Sequence, residues 1–173
     1  VNNLGETSMT ESSKNSLNSS QRKSPPGSKR IFRATDKEEL IQELLSEQIG
    51  IFKEIWRVML FAAMVGYKNG RREPLKNVES GKGIDQATFG NCPAWPGILY
   101  LMALVVTQSS DSLSGSQSAE DLRVAAFQEY ANGGLTLIRD FFGTRVLDLD
   151  GFLSFIDSQI KNDNYQVDLN LSI

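Results

Sequence analysis

A chain of 173 residues with 40% hydrophobic and 23% charged content is long enough for one domain with a real core, and too short for two ordinary ones. Its net charge of −3 and pI near 5.1 argue against nucleic-acid binding over the whole surface. No histidine occurs, which removes Ser-His-Asp and Cys-His catalysis, histidine general-base chemistry, and the usual zinc and non-haem iron sites. Carboxylate–Mg²⁺ and lysine chemistry survive that exclusion. With Cys92 as the single cysteine, no intramolecular disulfide can form, so a reducing compartment is expected. The first residues lack the apolar run of a signal peptide, and the longest apolar run, 98–106, is about half the ~20 residues of a spanning helix. A soluble cytoplasmic protein with no membrane partner is expected.

Residues 1–30 are rich in Ser and Asn, with Pro25-Pro26-Gly27 near their end and few large apolar residues. Such a segment buries too little surface to offset its ordering entropy, so it reads as a disordered tail. The charge is uneven. Lys14, Arg22, Lys23, Lys29, Arg30 and Arg33 against Glu6 and Glu11 give residues 1–33 a net +4, leaving about −7 for the rest. The basic group is either a contact for nucleic acid or an acidic partner, or solvated charge on a tail.

Folding is expected from residue 31 on, as a helical domain over 31–173. Thr35 with Glu38 matches a capping box, and Leu40, Ile41, Leu44 and Leu45 follow at helical spacing, which predicts a helix over 36–47. A second is predicted over 51–67. Phe52, Ile55, Trp56, Met59, Leu60, Ala63 and Tyr67 form its main face, while Phe61, Ala62 and Val65 make the other side apolar too, so this helix is expected to be central and buried. Lys68-Asn69-Gly70 ends it and Pro74 blocks a restart. Residues 71–97 read as loop with a short extended stretch near 84–89, and a third helix as 96–107. The Ser-rich run 108–118 is a surface loop, after which Ser118 and Asp121 suit a capping-box variant for a helix from Ala119 towards Asn132. Gly133-Gly134 cost about 2 kcal/mol against alanine in a helix interior, so they mark a kink or a place where another helix packs on bare backbone. Leu135, Leu137, Ile138, Phe141 and Phe142 resume the apolar face up to Gly143. A last helix is expected over 149–160. Val167, Leu169, Leu171 and Ile173 alternate as in an edge strand or a frayed end. The predicted fold is all-α, a single compact bundle of about five to six helices behind a disordered tail.

No catalytic residue, metal site or cofactor emerges. Lys68, Arg71 and Arg72 share a turn where two arginines beside glycine amides would suit a phosphate or DNA backbone, or would simply complement a helix C-terminus. Asp140, Asp148, Asp150 and Asp157 form the best acidic group. Their spacing matches no nuclease signature, and Asp148 and Asp150 precede a helix where acids are expected. Cys92 lacks a neighbouring base and reads as an incidental thiol. Trp95, between two prolines, is a candidate for partial exposure and partner contact, as are Tyr130 and Asn132 beside the glycine pair. The string 129–134 serves equally as a helix kink packed on a neighbour.

Two strings carry a resemblance. Phe61-Ala62-Ala63-Met64-Val65-Gly66-Tyr67-Lys68-Asn69-Gly70-Arg71-Arg72-Glu73-Pro74-Leu75 and Glu129-Tyr130-Ala131-Asn132-Gly133-Gly134 resemble the Dnd system-associated protein 4 family over about residues 30–160. Members accompany bacterial DNA phosphorothioation modification and restriction genes, and 108–118 looks like a local insertion against that family. The resemblance implies antiviral defence and an accessory role, with other defence-system proteins as partners and DNA as an added option, and transfers no catalytic residue. The leading expectation is a non-enzymatic adaptor acting by protein contacts and DNA-backbone contacts. The alternatives are a DNA-binding regulator, and a carboxylate–metal nuclease built on Asp148, Asp150 and Asp157.

Overall fold

The computed structural model describes residues 29–143 and 145–161. Its α-helices in chain order are α1 (Glu38–Leu44), α2 (Ile55–Lys68), α3 (Gln86–Phe89), α4 (Trp95–Thr107), α5 (Gln117–Phe142) and α6 (Leu149–Lys161). Short 3₁₀ turns at Thr35–Lys37, Ser80–Lys82 and Ser110–Leu113 complete the order. Among the described residues no strand forms beyond one antiparallel bridge between Ile31 and Ile84, so the architecture is the all-α bundle that the periodicity implied. No helix among them is long and apolar enough to cross a membrane.

The bundle is organised on the pair α2 and α5. α2 buries Val58, Met59, Ala62, Ala63, Val65 and Gly66, and α5 answers with Phe127, Tyr130, Ala131, Gly134, Leu135 and Ile138. α5 runs unbroken through Gly133-Gly134, so these glycines mark close packing and not a kink. A Cβ on Gly134 would lie 1.8 Å from the Ala62 carbonyl oxygen, and one on Gly66 2.0 Å from that of Tyr130. Only glycine lets the two backbones approach so far. The propensity cost is offset by dense backbone contact.

Other elements are pinned to this pair by aromatic rings. Phe89 stacks on Trp95 with centroids 4.0 Å apart, and Phe127 of α5 meets both rings edge-on. Trp95 is therefore core. The partial exposure expected from its flanking prolines does not occur: Pro96 sits in the first turn of α4, where its missing N–H costs nothing, and the indole is buried against Phe89 and Phe127. α6 docks through Phe152 against Phe52 and Phe61, and through Phe155 against Phe141.

Several boundaries differ from the sequence reading, each for a local reason. Glu38 does not cap a helix. Arg33 takes both its carboxylate oxygens, at 2.7 and 3.1 Å, and a single 3₁₀ turn precedes the short α1. α2 starts at Ile55, since Glu54 is extended and its carboxylate accepts from Trp56 Nε1 at 2.9 Å and Arg57 Nε at 3.0 Å. The extended stretch near 84–89 reduces to the bridge at Ile84, followed by the short helix α3. The N-cap of α5 is Ser116, whose hydroxyl accepts from Ala119 N, while Asp121 pairs with Lys29. Lys29 and Arg30, counted with the tail, are tied to Asp121 and Asp85. The serine loop is strapped down by buried Arg123, which donates to the Ser112 and Ser114 carbonyls at 2.7 and 2.8 Å. The readings of 1–28 as tail and of 165–173 as strand or frayed end lie outside the described residues.

Two helical glycines separate close packing from propensity. Gly134→Ala is expected to lower the unfolding free energy by about 3 kcal/mol or more, because backbone atoms must move apart to admit the methyl group. Gly97→Ala in α4, where a Cβ meets open space, is expected to be neutral or up to about 1 kcal/mol stabilising. Urea unfolding of both variants measures the contrast, and equal effects would refute the close-packing account.

Candidate functional site

The turn after α2 is built by its own residues. Gly70 takes a left-handed φ of +61°, Asn69 Nδ2 donates to the Val65 carbonyl at 2.8 Å, and Arg71 N returns to the Gly66 carbonyl at 2.8 Å. This folds the next residues across α5. Glu73 N donates to the Glu129 carbonyl at 3.0 Å, and Asn132 Nδ2 reaches the Glu73 and Pro74 carbonyls at 3.3 and 3.2 Å. A Cβ on Gly133 would lie 2.1 Å from the Arg71 carbonyl oxygen, so the glycine admits the turn itself. The two strings singled out in the sequence thus form one seam.

The three basic residues of the turn all have internal acceptors. Arg71 Nε donates to Glu73 Oε1 at 2.6 Å, Arg72 pairs with Glu129 of α5, and Lys68 Nζ donates to the Gln159 carbonyl of α6. Glu73 also accepts from Thr136 Oγ1 at 2.7 Å. Burial alone would raise the Glu73 carboxyl, but the hydrogen bonds from Thr136 and Arg71 outweigh it and hold the group below its ordinary value near 4.5. Tyr130 is buried with its ring edge-on to Tyr67 at 5.7 Å, and Asn132 is buried with its Oδ1 unpartnered among the described residues. Tyr130 and Asn132 therefore brace the seam, and neither presents a surface.

Beside the seam lies a polar pocket of about 460 Å³ lined by Asp36, Lys37, Glu73, Lys76, Asn132 and Arg139, among others. Lys37 is buried, and its ammonium donates to Asp36 Oδ2 at 2.8 Å. That hydrogen bond, against the opposing effect of desolvation, holds Asp36 below its ordinary value near 3.8. Sequence reasoning missed Thr136, whose partner Glu73 is 63 residues away in the chain, and Lys37, whose pairing with adjacent Asp36 gives no local sign that it is buried.

A different surface is apolar. Met64 and Tyr67 of α2 face Ile98, Leu101, Met102 and Val105 of α4 across a groove of about 180 Å³. Leu101 is 64% exposed, Tyr67 45%, Val105 44% and Met64 38%. The α2 sequence reads as buried because it is apolar nearly all round, yet α2 and α4 each keep one open sector. The acidic residues do not converge on a site. Asp148 Oδ1 accepts from Gly151 N at 2.8 Å and caps α6, Asp157 pairs with Lys161, and among the described residues no group of three or more Cys, Asp or Glu is placed to hold a metal ion.

The family model for DNA sulphur modification system-associated protein 4 matches residues 30–172. The chain belongs to this family. The match extends over both strings of the seam, both helices of the groove and residues beyond α6, and membership associates the chain with a DNA sulphur modification system. No curated protein and no solved structure gives a match.

In this member of the DNA sulphur modification system-associated protein 4 family, Glu73 makes stability pH-dependent with a definite sign. Its lowered folded-state pKa means its contribution is fully present above about 4.5 and is lost as pH falls through the lower folded value. Glu73→Gln is expected to destabilise by about 1–2 kcal/mol at pH 7, with the gap to the parent closing as pH drops below 4. Urea unfolding at pH 7, 5 and 3.5 reads this, and a gap independent of pH would contradict the assignment.

Proposed function

We propose that the chain is a non-catalytic adaptor of a bacterial DNA sulphur modification and restriction system, acting in the cytoplasm in antiviral defence through protein contacts made at the α2–α4 groove. Family membership supports the context. The observation that carries the adaptor reading is the contiguous exposed apolar strip of Met64, Tyr67, Leu101 and Val105. Exposed apolar patches on a folded body mark interaction sites. At about 180 Å³ the groove is smaller than the ~300–1,000 Å³ of small-molecule pockets, and suits the side chains of a protein partner.

DNA-backbone contact at the turn is a second reading, favoured by the half-exposed guanidinium groups of Arg71 and Arg72. A phosphate there has to compete with Glu73 and Glu129, which ranks this reading below protein contact. It requires affinity that falls steeply with salt and weakens when both arginines become alanine.

Leu101→Glu in the full chain is expected to reduce co-purification with the neighbouring modification and restriction proteins at least tenfold, while leaving the unfolding midpoint nearly unchanged because Leu101 is exposed. The Arg71→Ala, Arg72→Ala double variant is expected to retain co-purification. Capture by Leu101→Glu equal to the parent would sink the adaptor reading at this groove.

A further inference from the structure

We propose that the polar pocket beside the seam binds a small hydroxyl-bearing organic anion, of the sugar phosphate or sugar acid kind. Its walls come from three separate parts of the chain. The 3₁₀ turn Thr35–Lys37 gives Asp36 and Lys37, the chain after the basic turn gives Glu73 and Lys76, and α5 gives Asn132 and Arg139. Asn132 and Arg139 lie about two turns apart on α5 and so share a face. Thr35 N donates to the Asn77 carbonyl at 3.0 Å, which ties the first two walls together. At about 460 Å³ the cavity falls within the ~300–1,000 Å³ of small-molecule sites.

Two buried groups in this cavity have bonding capacity that the fold does not use. The Lys37 side chain is 3% exposed, and an ammonium group carries three N–H donors. Among the described residues it donates to Asp36 Oδ2 alone, at 2.8 Å. That carboxylate oxygen is itself shared with Arg139 Nη1 at 3.3 Å. Asn132 is 7% exposed and spends its Nδ2 on the Glu73 and Pro74 carbonyls. Those bonds fix the orientation of the amide and leave Oδ1 without a partner among the described residues. A buried charge or polar atom is costly unless it is hydrogen-bonded, so spare capacity of both kinds in one cavity points to a ligand.

The two groups call for opposite chemistry. Lys37 needs an acceptor, and Arg139 and Lys76 line the same cavity. Three cations (Lys37, Lys76, Arg139) against two carboxylates (Asp36, Glu73) leave a net charge of +1, which favours an anion. Asn132 Oδ1 and the carboxylates accept, so the remainder of the ligand has to donate, as hydroxyl groups do. Among the described residues no aromatic ring lines the cavity, so a nucleobase has no platform to stack on. An oxyanion on a hydroxylated carbon chain meets each of these demands. The cavity shares no lining residue with the α2–α4 groove, so the site does not depend on the adaptor reading.

Calorimetric titration of the full chain with ribose 5-phosphate and with gluconate tests the site, with inorganic phosphate and ribose as controls. At least one of the two hydroxylated anions is expected to bind, at least tenfold tighter than either control, and the one that binds distinguishes a phosphate from a carboxylate ligand. Lys37→Met is expected to weaken that binding at least tenfold. Lys37 is buried, so two variants at the rim keep the fold out of the result. Arg139→Gln and Lys76→Gln alter exposed side chains, and each is expected to weaken binding at least threefold with an unchanged unfolding midpoint. Failure of both anions to bind would overturn the site. Parent affinity in both rim variants would overturn it too, since the anion would then bind elsewhere. Inorganic phosphate binding as tightly as ribose 5-phosphate would overturn the hydroxyl assignment.

Discussion

Everything else in this molecule depends on the backbone contact between α2 and α5. Ala62 and Gly66 on one helix meet Tyr130 and Gly134 on the other at distances that exclude even a methyl group at either glycine. A contact of this kind fixes register as well as distance. Sliding α5 by one residue would place a side chain where Gly134 now sits, and the helices would have to separate. The gain is dispersion over a dense, nearly side-chain-free seam, and the cost is the helix propensity of the glycines.

The same contact explains why the basic turn looks as it does. Because Gly66 lies so close to α5, the chain leaving α2 must pass directly over α5, and Gly133 is the position that leaves room for the Arg71 carbonyl. Glu73, Glu129, Asn132 and Thr136 then hold the turn by hydrogen bonds and ion pairs. Each ion pair is half exposed and contributes little alone, on the order of 0.2–1 kcal/mol. Their collective effect is geometric, since they direct the chain towards the polar pocket at Lys37. The arginines that suit a phosphate also pair within the fold, with Glu73 and Glu129.

Much of this was legible in the residues, and the exceptions share a cause. Helical periodicity located α2, α4 and α6 to within a few residues, and Gly143 marked the end of α5 correctly. The glycine pair was recognisable as either a kink or a packing site, and only the position of Gly66 on the facing helix decides between them. Capping was less legible. Thr35 with Glu38, and Ser118 with Asp121, are acceptable local pairs, but Arg33 and Lys29 compete for the carboxylates and win through charge. Long-range ties had no local signal. Arg72 and Glu129 are 57 residues apart in the chain, and Thr136 and Glu73 are 63 apart, so nothing in either neighbourhood marks them as partners. Trp95 failed for a related reason: flanking prolines suggested a loop, whereas the stacking partner Phe89 and the edge of Phe127 come from elsewhere.

The open groove follows from the composition of α2. A helix that is apolar on nearly every side needs a neighbour on every side. α5 covers the face containing Ala62 and Gly66, α6 covers the side of Phe61, and α4 approaches on the side of Trp95 and Ile98. Met64 and Tyr67 project between α4 and the remaining solvent-facing sector, with no described element above them. Polar residues in those positions would have been neutral for folding, since exposed sites tolerate most substitutions. Apolar side chains there make sense once something else is packed on them. The composition of α2 therefore leaves one apolar sector, at Met64 and Tyr67, that α1 and α3–α6 do not cover.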